Sequence, residues 1–173
     1  HTRLMLDGVV AGYESYEAAV QQASHEAFPA ELEGRDMLYS SGTTGRPKGV
    51  KFPLTGAAAG TPSPVLERMV QLYAVGATTV YLSPAPLYHA APLRFCMAVQ
   101  RLGGTTVLME TFAPQEALHL IERYHVTHSQ WVPTMFVRML RLPAEVRHQY
   151  DLASHRVAIH AAAPCPIPVK KTM

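Results

Sequence analysis

The stretch Tyr39–Val50, YSSGTTGRPKGV, decides how this chain is read. Two serines, two threonines, three glycines and a lysine fall within its twelve positions. Hydroxyls and glycine N–H groups at that density suit a loop that wraps phosphate oxygens, with Lys48 adding a point charge. A Walker-type loop would need Gly-Lys followed by Ser or Thr at the start of a helix. Here Lys48 lies between Pro47 and Gly49, and Val50-Lys51-Phe52 reads as extended. The loop is therefore a phosphate binder of another design.

Outward from it, strand and helix patterns alternate. Tyr16–Glu26 reads as a small amphipathic helix, Met37–Tyr39 as a short strand delivering the loop, and Lys51–Pro53 as a second short strand. Ser63 is placed as an N-cap with Pro64 at the first helical position, for a helix ending near Gly76. Thr78–Leu82 reads as a strand, Pro92–Leu102 as a helix closed by Gly103-Gly104, Thr105–Met109 as a strand and Pro114–Tyr124 as a helix. Val126–Val132 is then a strand; Pro133 opens a helix with an apolar stripe of Met135, Phe136, Met139 and Leu140; Val157–Ile159 is the last strand. This alternation predicts an α/β fold, a mainly parallel sheet with helices on both faces. Ligands of such sheets bind outside the carboxyl ends of the strands. The segments after Tyr39, Leu82 and Ile159 are expected at such ends.

The Ser40-Ser41-Gly42-Thr43-Thr44-Gly45 run, continued by Pro47-Lys48-Gly49, resembles the phosphate-binding signature of the adenylate-forming superfamily of acyl-CoA synthetases, luciferases and adenylation domains. Pro84–Leu93, PAPLYHAAPL, resembles a second signature of the acyl-CoA synthetases, in which His89 meets the attacking carboxylate or the α-phosphate. Thr127–Leu140 resembles the strand and helix beside the acyl tunnel, with Trp131, Val132, Met135 and Phe136 as wall residues. Val157–Pro166 resembles the adenine-binding strand-turn, although a Gly-Gly-Ala-Pro type sequence is common there and this chain has Ala161-Ala162-Ala163-Pro164. By that match Ala162, Ala163 and Pro164 seat the adenine, and the alanines put the pocket's shape in question.

The resemblance implies a parent enzyme, most like a fatty-acid–CoA ligase, that joins a carboxylic acid to coenzyme A at the expense of ATP and Mg2+, through an acyl-adenylate. It also implies a metal-supporting glutamate, a ribose aspartate, a hinge arginine and a lysine on a C-terminal domain, all beyond the last motif seen here. The expected organisation is an N-terminal helix-and-loop segment, 1–35, then part of the large AMP-binding domain, 36–173, without metal ligands and without the C-terminal domain. Such a piece is expected to be inactive alone and to self-associate. Two other readings stay open: an adenylation domain that loads a carrier protein, and a non-catalytic nucleotide-fold module.

Composition agrees with a single partner-covered domain. The 173 residues are 48% hydrophobic and only 16% charged, below the usual ~25%. A net charge of +2 with scattered basic residues leaves no nucleic-acid footprint. No apolar run approaches the ~18 residues of a membrane span. Cys96 and Cys165 have no metal or redox spacing, which fits reduced thiols in the cytoplasm.

Overall fold

The computed structural model describes residues 2–26, 31–40 and 45–173. They form two compact units: the described residues up to Tyr39 with 45–61, and Ser40 with Pro62–Met173. This division differs from a split after residue 35 because backbone pairing ties 49–61 back to the earlier residues.

In the first unit, β1 (Leu4–Met5) runs parallel to β2 (Glu14–Ser15). Helix α1 (Tyr16–Gln22) starts on Ser15, whose Oγ accepts from the Ala18 N–H at 3.2 Å. It stops short of the expected Glu26. Ala23 is already extended, and Ser24 Oγ takes the Glu26 N–H, a local bond that competes with the helix. Strand β3 (Leu38–Tyr39) pairs antiparallel with β4 (Gly49–Val50). The expected second strand thus lies two residues earlier than Lys51–Pro53. Register explains it: Tyr39 stands opposite Gly49, and a Cβ on Gly49 would come within 3.1 Å of the Tyr39 ring. Residues 51–53 are held instead by Arg35, stacked 4.8 Å from the Phe52 ring centroid. Strands β3 and β4 form a two-stranded antiparallel sheet of their own.

The second unit holds that sheet. Helix α2 (Pro64–Tyr73) is capped by Ser63 as expected, its Oγ accepting from the Leu66 N–H. Strand β5 (Val80–Ser83), helix α3 (Ala90–Arg101), strand β6 (Thr105–Leu108), helix α4 (Pro114–Arg123) and strand β7 (His128–Trp131) follow. Helices α5 (Pro133–Leu140) and α6 (Ala144–Arg147), strand β8 (Val157–His160) and helix α7 (Ile167–Thr172) complete it. The four strands are all parallel, in the order β6-β5-β7-β8.

Alternation along β5 assigns the faces. Tyr81 packs with Val75, Cys96 and Val99, on the side of α2 and α3. Leu82 packs with Ala117, Leu118 and Ile121 of α4 and Met135, Phe136 and Met139 of α5. The α3–β6 turn is tight: a Cβ on Gly104 would meet the Thr79 carbonyl and Val99 Cγ1 at 2.8 Å. Helices α6 and α7, of 4 and 6 residues, are too short for a period to show in the sequence.

Candidate functional site

The sheet order creates a switch point. The chain leaves β5 toward β6 on one side, whereas it leaves β7 toward β8 on the other. The connections diverge at the carboxyl ends of β5 and β7, where α/β sheets form their crevices. Three of the sequence motifs meet the sheet at that end.

After β5, Pro84 and Ala85 are buried, and Leu87, Tyr88 and His89 are exposed. His89 is the N-cap of α3, yet its imidazole makes no capping bond; its ring lies 4.5 Å from that of Tyr88. With Pro92 in the first turn and no side-chain cap, the positive end of a 12-residue helix is presented beside His89. Such an end favours an anion. After β8, the Ala161 N–H donates to the Trp131 carbonyl at 3.1 Å and extends the ladder by one residue. Ala162 then turns into the left-handed region at φ 72°, and Ala162, Ala163 and Pro164 are exposed. The position where a glycine was expected does need a glycine-like conformation, and alanine adopts it at a steric cost.

Of the phosphate loop, Ser41, Gly42, Thr43 and Thr44 lie outside the described residues. Ser40, Gly45 and Lys48 are exposed. The four expected acyl-wall residues sit around the end of β7. Trp131, Met135 and Phe136 are buried in one cluster, with the Trp131 and Phe136 ring centroids 6.0 Å apart. Val132 is half-buried.

Strand β7, His-Ser-Gln-Trp, is buried along its whole length, and its polar groups are a feature the sequence reading missed. His128 Nε2 donates to the Tyr73 carbonyl at 2.7 Å, leaving Nδ1 to accept from the Thr127 hydroxyl. Trp131 Nε1–H donates to Ser129 Oγ, whose own proton goes to His155 Nε2 at 2.6 Å. Burial, with His128 as a like charge nearby, holds the His155 imidazole well below its ordinary value, at about 4. Burial likewise pushes the Cys96 thiol up, so it is inert as a nucleophile. Gln130 Nε2 donates to the Trp131 carbonyl at 3.0 Å, but its Oε1 is buried and unpartnered. Among the described residues no group of three or more His, Cys, Asp or Glu side chains is placed to hold a metal. Both cysteines are free. No helix among the described residues is long and apolar enough to cross a membrane.

A parallel sheet with helices on both faces and a switch point at its carboxyl end defines an α/β class that takes its ligands at the strand ends. The chain belongs to the AMP-binding enzyme family, whose profile matches residues 2–173. It is 30% identical over 165 residues to 4-coumarate–CoA ligase 2 of Nicotiana tabacum, covering 93% of this chain and 30% of that protein. It is 29% identical over 160 residues to 4-hydroxybutyrate–CoA ligase 2 of Metallosphaera sedula, covering 90% and 28%. The N-terminal domain of FACL13 from Mycobacterium tuberculosis superposes with a TM-score of 0.71 at 25% identity, over 90% of this chain and 38% of that one. ATP-bound MatB from Rhodopseudomonas palustris gives 0.69 at 26% identity, over 90% and 30%. The chain spans about 30% of the length of the curated relatives it matches.

Proposed function

We propose that this chain is the nucleotide- and acid-binding part of an acid–thiol ligase that activates a carboxylic acid with ATP and passes it to coenzyme A. The observation that carries the reading is the convergence of the His89 loop, the β7 end and the Ala162 turn on one end of a four-stranded parallel sheet. The phosphate-loop sequence and the family match support it.

In this reading Ser40, Ser41, Gly42, Thr43, Thr44, Gly45 and Lys48 hold the β- and γ-phosphates through hydroxyls, backbone N–H groups and one cation. The acid's carboxylate lies at the N-terminus of α3, oriented by His89. Its oxygen attacks the α-phosphorus, the bond to pyrophosphate breaks, and the acyl-adenylate forms. The chemistry is mainly positioning and charge stabilisation. Ala162, Ala163 and Pro164 seat the adenine. Trp131, Val132, Met135 and Phe136 back the acyl group, with the packed Trp131–Phe136 cluster as a rigid support and Val132 nearest to solvent.

Mg2+ enters this reading as the counter-ion of the ATP phosphates. A carrier-protein thiol in place of coenzyme A is the alternative acceptor, and a non-catalytic nucleotide-binding module the alternative role. A fatty acid was the expected substrate; the relatives named above carry coumarate and hydroxybutyrate in their names, so a short or aromatic acid is the better-supported class.

Equilibrium binding of ATP to the chain tests the reading. Lys48→Ala removes one charge-assisted phosphate contact of about 1.5–3 kcal/mol, so ATP affinity should fall roughly 10- to 100-fold. Unchanged affinity in a folded variant defeats it.

A further inference from the structure

Three polar side chains from two segments hold one another behind the packed cluster of the second unit. Trp131 is buried, and Ser129, two residues earlier on the same face of β7, is buried as well. An indole N–H can only donate, so Ser129 Oγ accepts it. The serine's single proton then goes to His155 Nε2, 2.6 Å away, which makes Nε2 the bare nitrogen of that imidazole. The donors run in one order, from Trp131 to Ser129 to His155. The histidine is thus the end that fixes the direction of the other two.

Backbone bonds hold His155 where it is. Its own N–H donates to the Leu152 carbonyl at 3.0 Å, and its two neighbours grip the residues just before β7. Ser154 Oγ donates to the Val126 carbonyl at 3.0 Å, and the Arg156 N–H to the Thr127 carbonyl at 2.9 Å. At the far end of the relay the indole meets two rings, edge-on to Phe112 at 6.2 Å and tilted to Phe136 at 6.0 Å. Ring contacts of this kind tolerate several orientations, whereas a bond at Nε1 selects one. An apolar side chain of similar size would fill the His155 position without desolvating an imidazole. Packing alone therefore does not account for a histidine there.

We propose that His155 is a positioning residue for the acyl group: through Ser129 it locks the Trp131 indole in the orientation that forms the wall at the end of β7, and so tunes the site toward acids long enough to reach that wall. The inference rests on the acid-activation reading above and adds a residue that selects among acids. An acid whose carboxylate lies beside His89 starts on the α3 side of the sheet. A short one ends there. A longer one crosses the end of β7 past Val132 and meets the side of α4 and α5, where Trp131 and Phe136 pack. Only the longer acid feels a loosened indole.

The test is calorimetric titration of the 173-residue chain with butyrate, hexanoate and octanoate in the presence of AMP, together with the emission of Trp131, the chain's only tryptophan. In the wild type, octanoate should shift that emission and butyrate should not. His155→Leu, of similar size but without an acceptor, should weaken octanoate about 3- to 10-fold and leave butyrate and ATP unchanged. His155→Gln, which still accepts the Ser129 proton, should restore octanoate binding. Ser129→Ala should also weaken octanoate, and adding His155→Leu to it should cost nothing further. Equal octanoate affinity in wild type and His155→Leu, or a loss that falls on butyrate and ATP alike, overturns the inference and leaves acid activation standing. So does a wild-type emission that ignores octanoate when calorimetry shows it bound, a measurement that needs no variant to fold. Binding of no acid at all overturns both.

Discussion

Lowering the pH from 7.5 to 5 should destabilise the second unit by about 2 kcal/mol through His155 alone. The folded protein keeps this imidazole neutral, with Nε2 accepting from Ser129, and holds its pKa at about 4, against 6.5 for the free side chain. Between those values the unfolded chain binds a proton that the folded chain does not. Stability therefore rises with pH across this window. The contribution is fully present above about 6.5 and is lost as the pH falls toward 4. The whole gap corresponds to about 3 kcal/mol, of which about two-thirds is spent by pH 5. That is a large share of the ~5–15 kcal/mol that keeps a domain folded, and it should lower the melting midpoint by about 8 °C. The chain has nine histidines, so the assay is a difference. Thermal melts of wild type and His155→Gln, from pH 7.5 to 4.5, isolate the one group, because glutamine can still accept the Ser129 proton. The variant should lose about 2 kcal/mol less on acidification. Parallel pH profiles for the two proteins, or a His155 proton resonance titrating near 6.5, would refute the argument.

Replacing Ala162 with glycine should raise stability by up to about 1 kcal/mol in chemical denaturation, since φ 72° strains an L-residue; a lower midpoint would show the strain is absent. Gly104→Ala should cost several kcal/mol, because the new methyl meets the Thr79 carbonyl at 2.8 Å; a cost under 1 kcal/mol would mean the turn yields easily. By themselves the 173 residues should support no pyrophosphate exchange with ATP and a panel of acids, and exchange above a no-protein blank would contradict this. The isolated chain should self-associate. Only 16% of its residues are charged, which leaves much of its surface apolar, and a clean monomer by light scattering at tens of micromolar would count against it.

Much of the fold was legible because the elements announce themselves. Ser63-Pro64 marked the start of α2 to the residue, Gly103-Gly104 closed α3, and proline opened α4 and α5. Strands β5 to β8 were located within two residues, because β-branched and aromatic side chains cluster in β5, β6 and β8 and because Val126 and Val132 bracket β7. The pairing of β4 at Gly49-Val50 was not legible, since those two residues carry too little pattern to outweigh Lys51-Phe52. Nor could spacing reveal the polar interior of β7. His128, Ser129 and Gln130 look like surface residues until their partners Tyr73, Thr127 and His155 are seen, one of them 55 residues away. The strained turn at Ala162 was foreshadowed by the absent glycine; its backbone angle was not.

The order β6-β5-β7-β8 has a consequence for how the chain comes to be folded. Strand β5 is central, yet its two neighbours are Thr105–Leu108 and His128–Trp131, both made after it. As the polypeptide leaves the ribosome, β5 waits for partners, and the side facing β7 stays open until a further helix and strand have been synthesised. At roughly 5–20 residues per second that delay is a matter of seconds. Parallel pairing pays its loop-closure entropy before any ladder bond repays it, so assembly is slow. In that interval Tyr81 and Leu82, among the most deeply buried side chains of the finished protein, are in contact with water and with whatever chaperone reaches them first.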